Sequence, residues 1–144
     1  MYNVNTDKIN EILTFMENSL FPVFKSLVQQ PNETMTEQIT GHALSRVFHL
    51  CIEGMTDIGN FLIDGFIMRD PGSYEDIVDI MEDETVYTKE QAFVFKQIIS
   101  LRKSLVIDYT QNNVTELHNT LTTHYVVILQ YPQIIREYLQ KELW

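Results

Sequence analysis

Residues 44–62 read LSRVFHLCIEGMTDIGNFL, and two interleaved periodicities run through and around them. Leu44, Val47, Cys51, Met55, Ile58 and Leu62 recur in steps of three and four, the spacing that lines up one side of an α-helix. His42, His49, Glu53, Asp57, Asn60 and Asp64 follow the same rhythm on the opposite side. A half-buried strand would alternate in steps of two. The stretch therefore predicts a long amphipathic helix that begins near Met35 to Glu37 and ends at Arg69-Asp70-Pro71-Gly72.

The same reading extends in both directions. Upstream, Thr6 and Asp7 are candidate caps for a helix in which Ile9, Ile12, Met16, Leu20, Phe24 and Leu27 recur until Pro31, about six turns. Downstream, Ser73 with Asp76 three residues later marks the start of a short helix buried through Ile77, Ile80 and Met81. Thr88-Lys89-Glu90-Gln91 is a capping box, and Ala92, Phe95, Ile98, Ile99 and Leu101 carry the next helix to Arg102. Asn113 is placed to cap the last one, whose Val114, Leu117, Leu121, Tyr125, Ile128, Tyr131, Ile135 and Tyr138 march to the C-terminus, with Pro132 expected to break or kink the run. Short connections make successive helices antiparallel neighbours. The expectation is an all-α, four- to five-helix up-and-down bundle over residues 1–144.

Composition agrees with a globular helical protein: 44% hydrophobic and 21% charged residues, with five Gly and four Pro. The lone cysteine, Cys51, has no partner for an internal disulfide and sits on the apolar seam as a small hydrophobe. With a polar start after Met1, a reducing cytoplasm is the expected location. No apolar run approaches the roughly 18 residues that would span a bilayer. The formal net charge of −10 opposes nonspecific binding to nucleic acid or an anionic membrane, so an RNA contact would need a local basic pocket. The same charge also serves solubility.

The polar face of the long helix has two readings. As a functional surface, His49, Glu53, Asp57, Asn60 and Asp64 would line a cleft or a dimer interface, with Glu53 and Asp57 repelling each other and so raising at least one pKa. As an ordinary helix exterior it is simply solvated. A metal site is a further alternative, because His118 or His124 of the last helix could face His49 and Glu53 across a bundle, although the sequence lacks a Glu-x-x-His pair. No cofactor is expected.

The segment Leu101-Arg102-Lys103-Ser104-Leu105-Val106-Ile107-Asp108-Tyr109 concentrates chemistry at a helix end. Arg102 and Tyr109 are seven apart and would share a face if the helix continued. Arginine grips a phosphodiester through charged, bidentate hydrogen bonds, and a tyrosine hydroxyl beside it would suit a phosphate-bearing ligand. The structural alternative pairs Arg102 with an acid such as Asp57 or Asp64.

This segment resembles the HepT-like ribonuclease toxins of the HEPN superfamily, whose signature is Arg, four residues, His, one residue, Tyr. Arg102 and Tyr109 match it, and Ile107 stands where the histidine belongs. Ala43–Leu50 through Asp57, and Phe66–Tyr74 with its more specific block Met68-Arg69-Asp70-Pro71-Gly72-Ser73-Tyr74, are similar to a YutE-like subgroup. The resemblance implies a homodimer whose two motifs meet in a cleft that cuts RNA without a metal. It also implies Arg102 as the phosphate-binding residue, and Tyr109 as the AMP acceptor of a partner nucleotidyltransferase antitoxin. Imidazole is the one motif group suited to moving protons near neutral pH. Its absence points to a catalytically impaired, dimeric binding or regulatory protein. The alternatives are a working metal-independent endoribonuclease in which His49 replaces the lost imidazole, and a metal-binding bundle.

Overall fold

The structure, a computed structural model, describes residues 2–111 and 113–143. Its α-helices are α1 (Thr6–Phe15), α2 (Phe21–Val28), α3 (Gln38–Phe66), α4 (Tyr74–Asp83), α5 (Lys89–Ser100) and α6 (Val114–Leu143). The first two form one rod joined by a π turn, Met16–Leu20. Five rods thus build the all-helical bundle that the periodicities predict.

The rod is not the uninterrupted helix expected from its apolar pattern. Pro22, in the first turn of α2, has no N–H to donate, and the Phe21 N–H reaches back five residues to the Met16 carbonyl. The N-cap also falls one residue earlier than Thr6, on Asn5, whose side chain accepts from the Lys8 N–H at 3.2 Å. At the other end of the chain the expectation of a break fails. Pro132 is buried inside a continuous α6, where Ile128, Tyr131, Ile135 and Tyr138 anchor the helix on either side of it. Tertiary packing there outweighs the lost hydrogen bond.

Three start signals hold as read. Ser73 accepts from the Asp76 N–H at 3.0 Å, Thr88 and Gln91 cap each other reciprocally, and Asn113 accepts from the Glu116 N–H at 3.1 Å.

The central element is α3, which packs against every other helix. Its buried surface is wider than the predicted seam and adds Phe48, Ile52, Ile63 and Phe66. The first rod runs antiparallel to it: Val4 meets Gly65 at one end and Phe24 meets Phe48 at the other, with ring centroids 6.0 Å apart. At Gly65 a Cβ would lie 2.8 Å from the Val4 Cα, so this close approach requires glycine. Parallel to α3 lies α6, with Val114 near Gly41 and Tyr138 against Phe66.

The turn after α3 is fastened tightly. Ile67 adopts φ 58°, a strained value for a β-branched residue, and both its N–H and that of Met68 bond to the Ile63 carbonyl. Arg69 then grips Asp76 with two hydrogen bonds of 2.7 and 2.8 Å, and the Gly72 N–H adds a third at 2.8 Å. These donors hold the Asp76 carboxyl at about 2, below the ordinary carboxylate range. A depressed folded-state pKa stabilises above about pH 4 and loses its effect as pH falls towards 2. Asp76→Asn should therefore lower the thermal midpoint at pH 7 and flatten its fall between about pH 4 and 2. An acid profile identical to wild type would show that this network contributes nothing.

Candidate functional site

The site forms where α3 passes the end of α5. Beyond Ser100 the chain winds through a π turn, Lys103–Ile107, closes it with the Asp108 N–H on the Lys103 carbonyl, and enters a 3-10 turn at Tyr109–Gln111. The wider turn and the break at Asp108 remove the two-turn register expected between Arg102 and Tyr109. Arg102 points back onto α3, whereas Tyr109 is 70% exposed and lines a groove; the two do not share a helix face.

Arg102 donates from Nε to the Glu53 carboxylate at 3.1 Å. Its guanidinium lies 4.1 Å from the centre of the Tyr74 ring, in cation–π contact. The expected acid partners, Asp57 and Asp64, are therefore replaced by Glu53. His49 Nε2 approaches the same Glu53 oxygen at 3.5 Å, so one half-buried carboxylate orients both the imidazole and the guanidinium. Tyr74 ends the Met68–Tyr74 block, and the fastened turn is what delivers its ring to Arg102. Nothing local in the sequence links it to a residue 28 positions away.

The polar face of α3 is divided. His42 and His49 line a groove of about 520 Å³. Glu53 lies one turn further along and ties down Arg102. Asp57, Asn60 and Asp64 are exposed beyond it and do not line the groove. Partial desolvation, and then the neighbouring Glu53 charge, push the Asp57 carboxyl up, with Lys8 opposing. The groove's α3 wall carries His42, Arg46 and His49; Leu105, Tyr109 and Thr110 form the facing wall. Ile107 is 63% exposed beside this segment and buries nothing of consequence.

The metal-binding alternative is not supported. Among the described residues there is no group of three or more His, Cys, Asp or Glu side chains placed to hold an ion. His118 does not face His49: it is buried against the first rod, with Nε2 on the Leu27 carbonyl at 2.9 Å and Nδ1 on the Asn32 amide at 3.0 Å. A carbonyl only accepts, so Nε2 carries the proton and Nδ1 accepts from Asn32. This ring is a structural clamp between the α2 end and α6. Cys51 is buried in the core, where desolvation raises its thiol to about 12, as expected of a packing residue. No helix among the described residues is long and apolar enough to cross a membrane.

Known proteins share this architecture. The Bacillus subtilis (strain 168) candidate RNase YutE is 42% identical over 143 residues, spanning 99% of this chain and 95% of that protein. The solved structure of YutE, described as a cytosolic protein, aligns with TM-score 0.91 at 41% identity, over 99% of this chain and 96% of that one. A tri-AMPylated Shewanella oneidensis HEPN toxin in complex with an MNT antitoxin aligns with TM-score 0.78 at 16% identity, over 90% of this chain and 96% of that one. At that identity the likeness concerns the fold alone. Residues 5–135 match the model of the Ribonuclease HepT-like family, and with the YutE relationship over nearly its full length this chain belongs to that family.

Proposed function

We propose that this protein is a dimeric, HepT-like RNA-binding or regulatory protein whose catalytic step is impaired. The observation that carries this reading is Ile107, an exposed alkyl side chain where the Arg-x4-His-x-Tyr pattern has its imidazole. The flanking motif positions are retained. Arg102 has N–H groups left after its Nε bond to Glu53 and offers them to a phosphodiester. Tyr109 presents an exposed hydroxyl, which suits it to accept AMP from a nucleotidyltransferase antitoxin, the kind of partner named for the Shewanella toxin. In the dimer the two 102–109 segments would face one another.

A second reading, a working metal-independent endoribonuclease, is favoured by His49. This imidazole lines the same groove as Tyr109 and is paired with Glu53. A carboxylate–imidazole pair is an arrangement that moves protons in acid–base catalysis.

Cleavage of total RNA in EDTA by purified wild type, Arg102→Ala and His49→Ala separates the two. The leading reading expects no cleavage by wild type above the Arg102→Ala background. Cleavage by wild type that disappears in both Arg102→Ala and His49→Ala would overturn it and establish the ribonuclease.

A further inference from the structure

We propose that Arg46 is a second phosphate contact, and that the groove between α3 and residues 105–110 holds a single-stranded RNA segment with one base stacked on Tyr109. This rests on the RNA-binding reading above and adds to Tyr109 of the motif an α3 wall, with Arg46, that the 102–109 motif does not include.

The first observation is how the two arginines are engaged. Arg102 is committed on one edge to Glu53 and on its face to Tyr74, and it does not line the groove. Arg46 does line the groove, is exposed, and has no ion-pair or hydrogen-bond partner for its side chain among the described residues. The other three arginines, Arg69, Arg102 and Arg136, are each paired with an acid.

The second is the composition of the walls. His42, Arg46 and His49 lie four and three residues apart on α3, which puts all three on one side of the helix, facing the groove. Across from them stand the exposed Tyr109 ring and the apolar side of Leu105. Glu37, at one end, is the groove's single acidic residue among those described. A wall with one guanidinium and two imidazoles opposite an aromatic one suits single-stranded nucleic acid: a charge and N–H groups for the backbone and a flat ring for a base. The net charge of −10 repels a polyanion elsewhere, so binding is confined to this place. A volume of about 520 Å³ is within the range of ligand sites.

The test is fluorescence anisotropy with a labelled short single-stranded oligoribonucleotide across a salt series, using wild type, Arg46→Ala and Tyr109→Ala. Arg46→Ala should weaken binding about 10-fold. It should also reduce the slope of log affinity against log salt by about 0.7, the loss of one phosphate contact on a single strand. Tyr109→Ala should weaken binding about 10-fold with the slope unchanged, because stacking releases no counterions. Both side chains are exposed, so circular dichroism should show the wild-type fold. Binding by Arg46→Ala with wild-type affinity and slope would overturn the Arg46 assignment and leave the RNA-binding reading standing. Absence of binding by wild type would overturn both.

Discussion

Ile107→His is expected to raise RNA cleavage in EDTA by about 10²- to 10⁴-fold over wild type, the usual contribution of a positioned general acid–base. The substitution restores the missing imidazole between Arg102 and Tyr109. Ile107 is exposed, so the exchange creates no core cavity and should change stability by no more than about 0.5 kcal/mol. The acquired activity should titrate with a group near pH 6.5, the ordinary imidazole value. It should also vanish when Arg102→Ala is added. A folded, RNA-binding Ile107→His protein that remains inert would show that the lost histidine is not what limits catalysis. The dimer arrangement of the motif would then be the place to look.

The largest effect on stability is expected at Phe95. This ring is fully buried on α5 and meets Tyr87 and Tyr131 edge-on, with centroids 4.9 and 5.2 Å away. Phe95→Ala should cost about 3–5 kcal/mol, from lost burial, the residual cavity and two forfeited aromatic contacts. Against a typical total of 5–15 kcal/mol, that loss is large enough to shift the urea midpoint well below wild type. Because α5 leads directly into Arg102, the loosened helix should also weaken the Arg102–Glu53 contact. Phe93→Ala, two residues away but on the exposed side of α5, should stay within about 0.5 kcal/mol of wild type. Equal losses for the two variants would refute this account of how α5 is held.

The helices and most of their starts were legible because their causes are local. An apolar residue every three or four positions, a Ser73 or Asn113 oxygen within reach of an N–H three residues on, and the Thr88–Gln91 exchange all act within one turn. The same locality explains two misreadings. Pro22 lies inside a good apolar pattern, and the pattern hides the π turn it imposes. Pro132 looks like a break when judged locally, but the buried residues on both sides of it carry α6 through without interruption.

The candidate site divides in the same way. Its motif positions, Arg102, Ile107 and Tyr109, and the helical face bearing His49 and Glu53 can be counted off the chain. Which acid takes Arg102 cannot, because Glu53 and Asp57 are equivalent on a helical wheel and only the approach of α5 to α3 selects between them. That contact spans 49 residues, and the His118–Leu27 clamp spans 91. By itself, therefore, the sequence determined the helical class, the order of the elements and the missing imidazole, since each is written in residue identity and short-range spacing. Tertiary structure alone decided the Glu53 partnership, the Tyr74 stack and the Arg46 groove, since each depends on which helix faces bury one another and which are left in water.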